Sequence, residues 1–301
     1  MVYLLLTGGL GNQLFQFALY RKLEYDSIDV KLDFSHLDLF QEHNGISISK
    51  LFSYNECQIE NNCIYKIFKR VKIESSHKVI TLILWQIKKI SDFLLKRELI
   101  LEKSHGIYDE FLICRLANSK KDVSLIGYWQ SENYFKDIRR KLIEELDFSL
   151  LNEVININLL NIIDSTNSVS IHIRRGDYLS KNNKSSHFIF NTMNYYFSAI
   201  SYINDHCYNP VYFVFSDDPE WVKTNLKLNA TYIDWNKGFN NYKDMLLMSR
   251  CKNNIIANSS FSWWGAWLNS NDEKIVIAPE IWMNDTETPD IIPCDWIKLP
   301  V

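Results

Sequence analysis

No Cys-x-x-Cys pair occurs in the sequence. Its six cysteines, Cys57, Cys63, Cys114, Cys207, Cys251 and Cys294, are spaced neither as a disulfide framework nor as a structural zinc site. A strong charge of either sign is also missing. The formal net charge of -3 argues against a nucleic-acid partner, because such a chain carries a basic face that displaces counterions from phosphates. The opening run Met1-Val2-Tyr3-Leu4-Leu5-Leu6 has no basic flank and reaches Thr7-Gly8-Gly9 at once. It is too short for a signal peptide or a membrane span and reads as a buried first strand. The expected compartment is therefore a reducing cytosol. Internal repeats and low-complexity linkers are absent as well. Apolar residues are plentiful, 47 % of 301, which is enough material for two domains of ordinary size.

After the first strand, Thr7 to Gly11 is a glycine turn, and Gln13 to Leu23 sets Leu14, Phe15, Phe17, Ala18 and Leu19 around a helix with one strongly apolar side. Val30, Leu32 and Phe34 alternate with charged neighbours, the period of a half-buried second strand. Ile64 to Ile100 is locally basic. Ile83, Leu84, Ile87, Ile90, Phe93 and Leu94 recur there at helical spacing, which predicts an amphipathic helix whose basic face is solvated or meets an anionic membrane weakly. From Ser168 onward, strands at Val169 to Ile173, Val211 to Phe215, Thr231 to Trp235, Asn254 to Ala257 and Ile275 to Ala278 alternate with helical segments. That order predicts a parallel sheet with helices on both faces and a ligand beyond the carboxyl ends of the strands. The domain boundary is expected in the asparagine-rich stretch Asn152 to Asn167, giving domains of residues 1–155 and 156–301.

Three segments carry chemistry. Gly8-Gly9-Leu10-Gly11-Asn12-Gln13 stands where a strand hands over to a helix, so the backbone can approach a ligand and helix amides can face an anion. The dinucleotide fingerprint fails there, because Leu14 occupies the position of the last glycine. Ile171-His172-Ile173-Arg174-Arg175-Gly176-Asp177-Tyr178 ends the first strand of the second half, and alternation puts His172 and Arg174 on one face. A guanidinium is always charged and grips phosphate as a fork, which is what a departing diphosphate needs. Either both arginines hold phosphate, or Arg174 does while Arg175 pairs with Asp177 to support the loop. In the third segment, a helix containing Asp244 leads through strand Ile255-Ile256-Ala257 into Asn258-Ser259-Ser260-Phe261-Ser262-Trp263-Trp264. These serines offer hydroxyls and free amides at a helix start, and capping accounts for one of them. Nowhere does Asp-x-Asp occur, the acidic pair with which many nucleotide-sugar enzymes hold a divalent ion. Asp217-Asp218 are adjacent, diverge on a regular backbone, and read as a strand-end turn and cap. Positive charge must then come from the protein itself.

With these segments in place, the chain closely resembles glycosyltransferase family 11, the α-1,2-fucosyltransferases, above all the bacterial members that build surface polysaccharides of the O-antigen type. The resemblance rests on GGLGNQLFQFALYRKL at the start, GYWQSENYF from 127, HIRRGDY from 172, FSDDPEWV from 215 and DMLLMSRCKNNIIANSSFSWWGAWLN from 244. Between Gln41 and Leu125 no motif anchors it. It implies a GT-B fold, two Rossmann-like domains facing across a cleft, with GDP-fucose on the C-terminal domain and the acceptor side on the N-terminal one. It also implies inverting transfer from GDP-β-L-fucose to the 2-hydroxyl of a terminal galactose, with no metal ion and no other cofactor. By the same resemblance His172 and Asp244 contact the guanosine, Arg174 the β-phosphate, and Ser259, Ser260 and Phe261 the pyrophosphate and its surroundings. Asn12 and the Gly9 and Gly11 backbone approach the phosphate or fucose, and Asp177 is the first candidate for a general base. The alternatives are an inverting fucosyltransferase of other regiochemistry, α-1,6 or O-linked, and a non-catalytic GDP or glycan binder.

Overall fold

The computed structural model describes residues 1–34, 48, 51–52, 86, 90, 96–175, 192–284 and 286–301. The chain divides into two compact units, Met1–Ser49 with Tyr54–Lys136, and Lys50–Ser53 with Asp137–Val301.

Among the described residues, unit 1 is built on four parallel strands: β1 (Val2–Leu5), β2 (Val30–Asp33), β3 (Glu98–Leu101) and β4 (Val123–Ile126), in the order β2-β1-β4-β3. Every residue of β1 is buried, as its unbroken apolar run requires of a central parallel strand. Helix α1 (Leu10–Tyr25) begins directly after Gly9 and buries Leu14, Phe15, Phe17, Ala18, Leu19 and Leu23. It also buries Gln13 and Gln16 completely, so their amides must find partners inside the fold. Helix α2 (Leu112–Asn118) precedes β4. The basic helix expected over 64–100 lies largely outside the described residues. Its last part is corrected: Lys96 takes a left-handed φ of 56° and the chain then enters β3, where Leu99 and Ile100 pair in register with Ser124 and Leu125.

Unit 2 carries a six-stranded, wholly parallel sheet formed by β5 (Asn167–Ile173), β6 (Pro210–Ser216), β7 (Ala230–Ile233), β8 (Asn253–Ile255), β9 (Val276–Pro279) and β10 (Ile297–Leu299). The order is β10-β9-β8-β5-β6-β7. Read from β7, this is third, second, first, fourth, fifth, sixth, the strand order of a dinucleotide-binding Rossmann sheet, with its reversal between β5 and β8. Among the described residues its α-helices are α3 (Arg139–Glu144), α4 (Val154–Ser165), α5 (Met193–His206), α6 (Pro219–Leu226), α7 (Tyr242–Arg250) and α8 (Ser260–Trp267). Val169, Ile171, Ile173, Val214, Ile255 and Ile277 form the core with Tyr195, Tyr196 and Ile203 of α5. The buried Tyr195 hydroxyl donates to the Ile256 carbonyl at 2.7 Å. Trp263, Trp264 and Trp267 pack as a ring cluster in and beside α8.

The division at Lys136 and Asp137 replaces the boundary expected in 152–167. Polar tethers explain the difference. Arg139 donates to the Trp267 carbonyl at 2.9 and 3.1 Å and to the Asn269 carbonyl at 2.6 Å, closing the carboxyl end of α8. The Glu153 carboxylate pairs with Lys243, and Asn156 exchanges hydrogen bonds with Asn236. A short segment from earlier in the chain also belongs here: Phe52 bridges Leu146, and the Asp147 amide donates to the Leu51 carbonyl at 3.3 Å. Two α/β units with parallel sheets match the composition expected of a GT-B chain. Among the described residues no helix is long and apolar enough to cross a membrane.

Candidate functional site

Ligands of an open parallel sheet bind beyond the carboxyl ends of its strands, at the point where the strand order reverses. In unit 2 that point lies between β5 and β8. The residues following β5 are Arg174 and Arg175, and those following β8 are Ile256, Ala257, Asn258 and Ser259, which open α8. Helix α7 follows β7, so its first turn, with Asp244, stands at the same edge. The topology thus gathers His172, Arg174, Asp244, Ser259, Ser260 and Phe261 at one edge. The ring of His172 on β5 lies 5.6 Å from that of Phe261 on α8.

The two arginines are held differently. Arg174 Nη1 lies 3.1 Å from Asp217 Oδ2, and its side chain stays about a third exposed. The other oxygen of Asp217 accepts the Arg175 backbone N–H at 2.9 Å, so this one carboxylate orients the arginine and the turn carrying it. Arg175 is buried, with its guanidinium carbon 3.2 Å from the Trp221 ring centroid and its Nε 3.6 Å from Asp218 Oδ2. Burial lowers its pKa and the two aspartates oppose that shift. Asp218 also caps α6, accepting from the Trp221 amide, and Pro219 occupies the first turn. The expected turn and cap are there. The arginine pairing was missed, although the parallel register of Ile173 with Ser216 brings the ends of β5 and β6 level. Asp177, and with it the expected Arg175–Asp177 pair, lies outside the described residues.

His172 is 4 % exposed, and its Nδ1 has no hydrogen-bond partner among the described residues. Burial, and next the Arg174 charge, push its pKa down to about 3, so the imidazole is neutral at physiological pH. Asp244 is displaced the other way. Burial pushes its carboxyl up to about 7, against the hydrogen bond that Asn236 Nδ2 donates to its Oδ1 at 2.8 Å. Asn236 is fixed in turn by Asn156, whose Oδ1 also accepts from the Trp235 indole at 2.8 Å.

The serines need a correction. Ser259 occupies the N-cap of α8 but makes no side-chain cap bond. The buried Ser262 hydroxyl bonds back toward the Ala257 and Ser259 carbonyls at 3.4 and 3.2 Å. Capping therefore accounts for none of the three. The first N–H groups of α8 have no carbonyl one turn back, which makes this helix start an anion-binding element.

Unit 1 presents its own carboxyl edge. Gly8 takes φ +77°, and a Cβ there would lie 2.8 Å from Asn12 Nδ2 and 3.3 Å from the Tyr128 ring. Gln16 accepts from the Thr7 amide and donates to the Gly127 carbonyl at 2.8 Å, joining the ends of β1 and β4. Gln13 donates to the Gly8 carbonyl, and Gln130 donates to Asn12 Oδ1 at 2.9 Å. Gly9 ends the turn as the N-cap of α1, and Gly11 lies buried in the first turn of that helix. Sequence reasoning also missed Glu102, which follows β3 and accepts the Tyr128 and Trp129 amides.

The profile of Glycosyl transferase family 11 matches residues 1–299. An alpha-1,2-colitosyltransferase of Escherichia coli is 34 % identical over 98 % of this chain and 97 % of its own length. The O-antigen biosynthesis glycosyltransferase WbnK of Escherichia coli is 33 % identical over 99 % of this chain and 100 % of its own. Human galactoside alpha-(1,2)-fucosyltransferase 1 is 27 % identical over 35 % of this chain and 29 % of its own. Among solved structures, fucosyltransferase NodZ from Bradyrhizobium aligns over 88 % of this chain and 91 % of its own at 13 % identity, with a TM-score of 0.49.

Proposed function

Because the chain belongs to glycosyltransferase family 11, we propose that it transfers L-fucose with inversion from GDP-β-L-fucose to the 2-hydroxyl of a terminal galactose, in building an O-antigen type polysaccharide. Glycosyl transfer is the activity of the family, and donor, acceptor and linkage are the proposed part. The names of two relatives support the α-1,2 linkage, and that of a third supports the O-antigen setting. One observation carries the donor side: a half-open arginine, Arg174, held by Asp217 at the strand-order reversal, beside His172 and the start of α8.

As the bond between the anomeric carbon and the β-phosphate oxygen breaks, negative charge collects on the diphosphate. Arg174 and the first amides of α8 neutralise it where other enzymes use a metal ion. Ser259, Ser260 and Phe261 line that charge. Neutral His172 offers a hydrogen bond to the nucleoside, and Asp244 as carboxylate accepts the paired N–H groups on the edge of guanine. Gly9, Gly11 and Asn12 keep, as part of the proposal, the approach to phosphate or fucose that the resemblance gives them, and Asp177 its candidacy as base. The peripheral membrane contact of the 64–100 segment is also proposed. Salt-sensitive co-sedimentation with anionic vesicles, lost in Lys88→Glu with Lys89→Glu, tests it.

A second reading has a specific warrant in the colitosyltransferase relative: the same transfer from GDP-colitose, whose sugar is fucose without its 3-hydroxyl. Both donors are to be offered with lactose, N-acetyllactosamine and β-1,3-linked galactosyl N-acetylhexosamines, following GDP release and determining the linkage by NMR. Fucosyl-α-1,2-galactose is expected. Transfer of colitose alone would move the assignment to the second reading, and a different linkage would overturn the regiochemistry. GDP or glycan binding without transfer would reject the enzyme.

A further inference from the structure

Within unit 2, the loop after β7 and the first turn of α4 meet in a chain of hydrogen bonds that ends on Asp244. Asn156 and Asn236 are both buried, and a buried amide is costly unless its donors and acceptors are met. The Trp235 indole N–H can only donate, and it donates to Asn156 Oδ1 at 2.8 Å. The other end of Asn156 is then its amino group, which donates to Glu153 Oε2 and to Asn236 Oδ1, both at 3.0 Å. This assigns Asn236 in turn. Its Nδ2 donates to Asn156 Oδ1 at 3.1 Å and to Asp244 Oδ1 at 2.8 Å. Turned over, Asn236 would set its carbonyl oxygen against the carboxylate and its amino group against that of Asn156. The donor-only indole thus fixes the direction of every bond up to Asp244, whose Oδ1 is held from within while Oδ2 has no hydrogen-bond partner among the described residues.

We propose that Asn236, aimed by Asn156 and the Trp235 indole, is the positioning residue that sets Asp244 as a reader of guanine, and that this chain carries the base selectivity of the donor site. The inference rests on the reading of Asp244 as a contact of the guanosine. Guanine offers two adjacent donors on one edge, N1–H and the 2-amino group, and only an ionised carboxylate turned toward that edge accepts both. Protonated, the same carboxyl would set its own O–H against one of them. Asn236 therefore does two things: it holds Oδ1 in one place, and its N–H favours the charged form against burial. The charged groups on the elements around Asp244 are engaged elsewhere or exposed. Glu153 pairs with Lys243, Asp164 with Arg250 and Asp234 with Lys223, Lys237 is exposed, and α8 carries no charged residue. The Asp244 shift comes from burial first and the Asn236 hydrogen bond second.

The test is calorimetric titration with GDP and with inosine diphosphate, which lacks only the 2-amino group, from pH 8 to 5.5. Wild type should prefer GDP by about tenfold or more, because a site built to accept an N–H loses that bond outright with the analogue. In Asn236→Leu, which keeps the shape and removes the N–H, the preference should shrink to within about threefold, and the loss of GDP affinity on acidification should set in at higher pH. Asn156→Leu makes no change at any atom bonded to Asp244 and should shift both readings the same way, so the proposal stays testable if one variant fails to fold. A variant that keeps the preference and the wild-type pH midpoint overturns the proposal. So does equal weakening of both nucleotides with an unmoved midpoint, the mark of a role in folding alone. Asp244→Asn separates the two levels. If wild type does not distinguish the nucleotides, or Asp244→Asn still does, the guanosine reading falls and this proposal with it. A preference lost in Asp244→Asn and kept in Asn236→Leu sinks the positioning role alone.

Discussion

At the carboxyl ends of β5 and β8 in unit 2 stand histidine, arginine, asparagine and serine. Beyond β1, β3 and β4 in unit 1 stand threonine, glutamate, tyrosine and glutamine. The two edges have the same strand geometry and are filled by different groups. In unit 1 the amides close on one another, Gln16 to Thr7 and Gly127, Gln13 to Gly8, Gln130 to Asn12. In unit 2, His172 Nδ1 is buried without a described partner and the first amides of α8 have no intrahelical acceptor. A parallel sheet provides a place for a ligand, and the loops decide whether that place is filled from within. Sequence alone reads the Gly-Asn-Gln segment as a ligand approach, and in the fold Gln13 donates back to the Gly8 carbonyl while Asn12 accepts from Gln130.

The largest effect that would sharpen this contrast is at Arg174. Replacement by Lys keeps a charge and loses the fork, so kcat should fall by about two to three orders of magnitude while the melting temperature holds. Near wild-type turnover would remove the open arginine from the donor side. Next, on the closed edge, Gln16→Leu leaves the Thr7 amide and the Gly127 carbonyl without their partner and should lower stability by about 2–3 kcal/mol in urea unfolding. An unchanged midpoint would show that this edge is not held by its amides.

A smaller effect belongs to Asp244. Its folded-state pKa of about 7 exceeds the ordinary 3.8, so the folded protein binds the extra proton. From this group, stability is greatest at about pH 4 and below and declines as pH rises toward 7. GDP affinity should follow the opposite sign, weakening about tenfold for each unit below pH 7 because binding takes the carboxylate form. Calorimetry from pH 8 to 5.5 on wild type and Asp244→Asn checks it, and the variant should be flat. The smallest expected effect is that of excess EDTA, which should leave turnover unchanged. Loss restored by manganese or magnesium would transfer the role of Arg174 to a cation.

The elements most legible in the sequence were those with unambiguous burial. The all-apolar β1, the alternating β2 and the five predicted strands of unit 2 appear within about two residues of their expected limits, as is usual where neighbouring structure trims element ends. The positions of His172, Arg174 and Ser259 at one sheet edge followed from the alternation of strands and helices. Strands β3 and β4 were not legible, since Glu-Leu-Ile-Leu and Val-Ser-Leu-Ile are four-residue pieces that only their neighbours make into strands. The boundary was misplaced because Asn156 looks like linker composition, yet its amide is fully buried against Asn236. The pairing of Asp217 with Arg174, and Glu102 altogether, were passed over for a related reason. Their partners lie on neighbouring strands, and strand order cannot be read from local pattern.

The segment Lys50–Ser53 belongs to unit 2 although unit 1 sequence lies on both sides of it. During synthesis, Leu51 and Phe52 leave the ribosome long before Leu146 and Asp147, the residues they bond to, have been made. A piece of the second unit must therefore wait, attached, while the remainder of the first is still being translated. No single cut in the chain separates the two units cleanly, and a fragment beginning at Asp137 would lack that bridge.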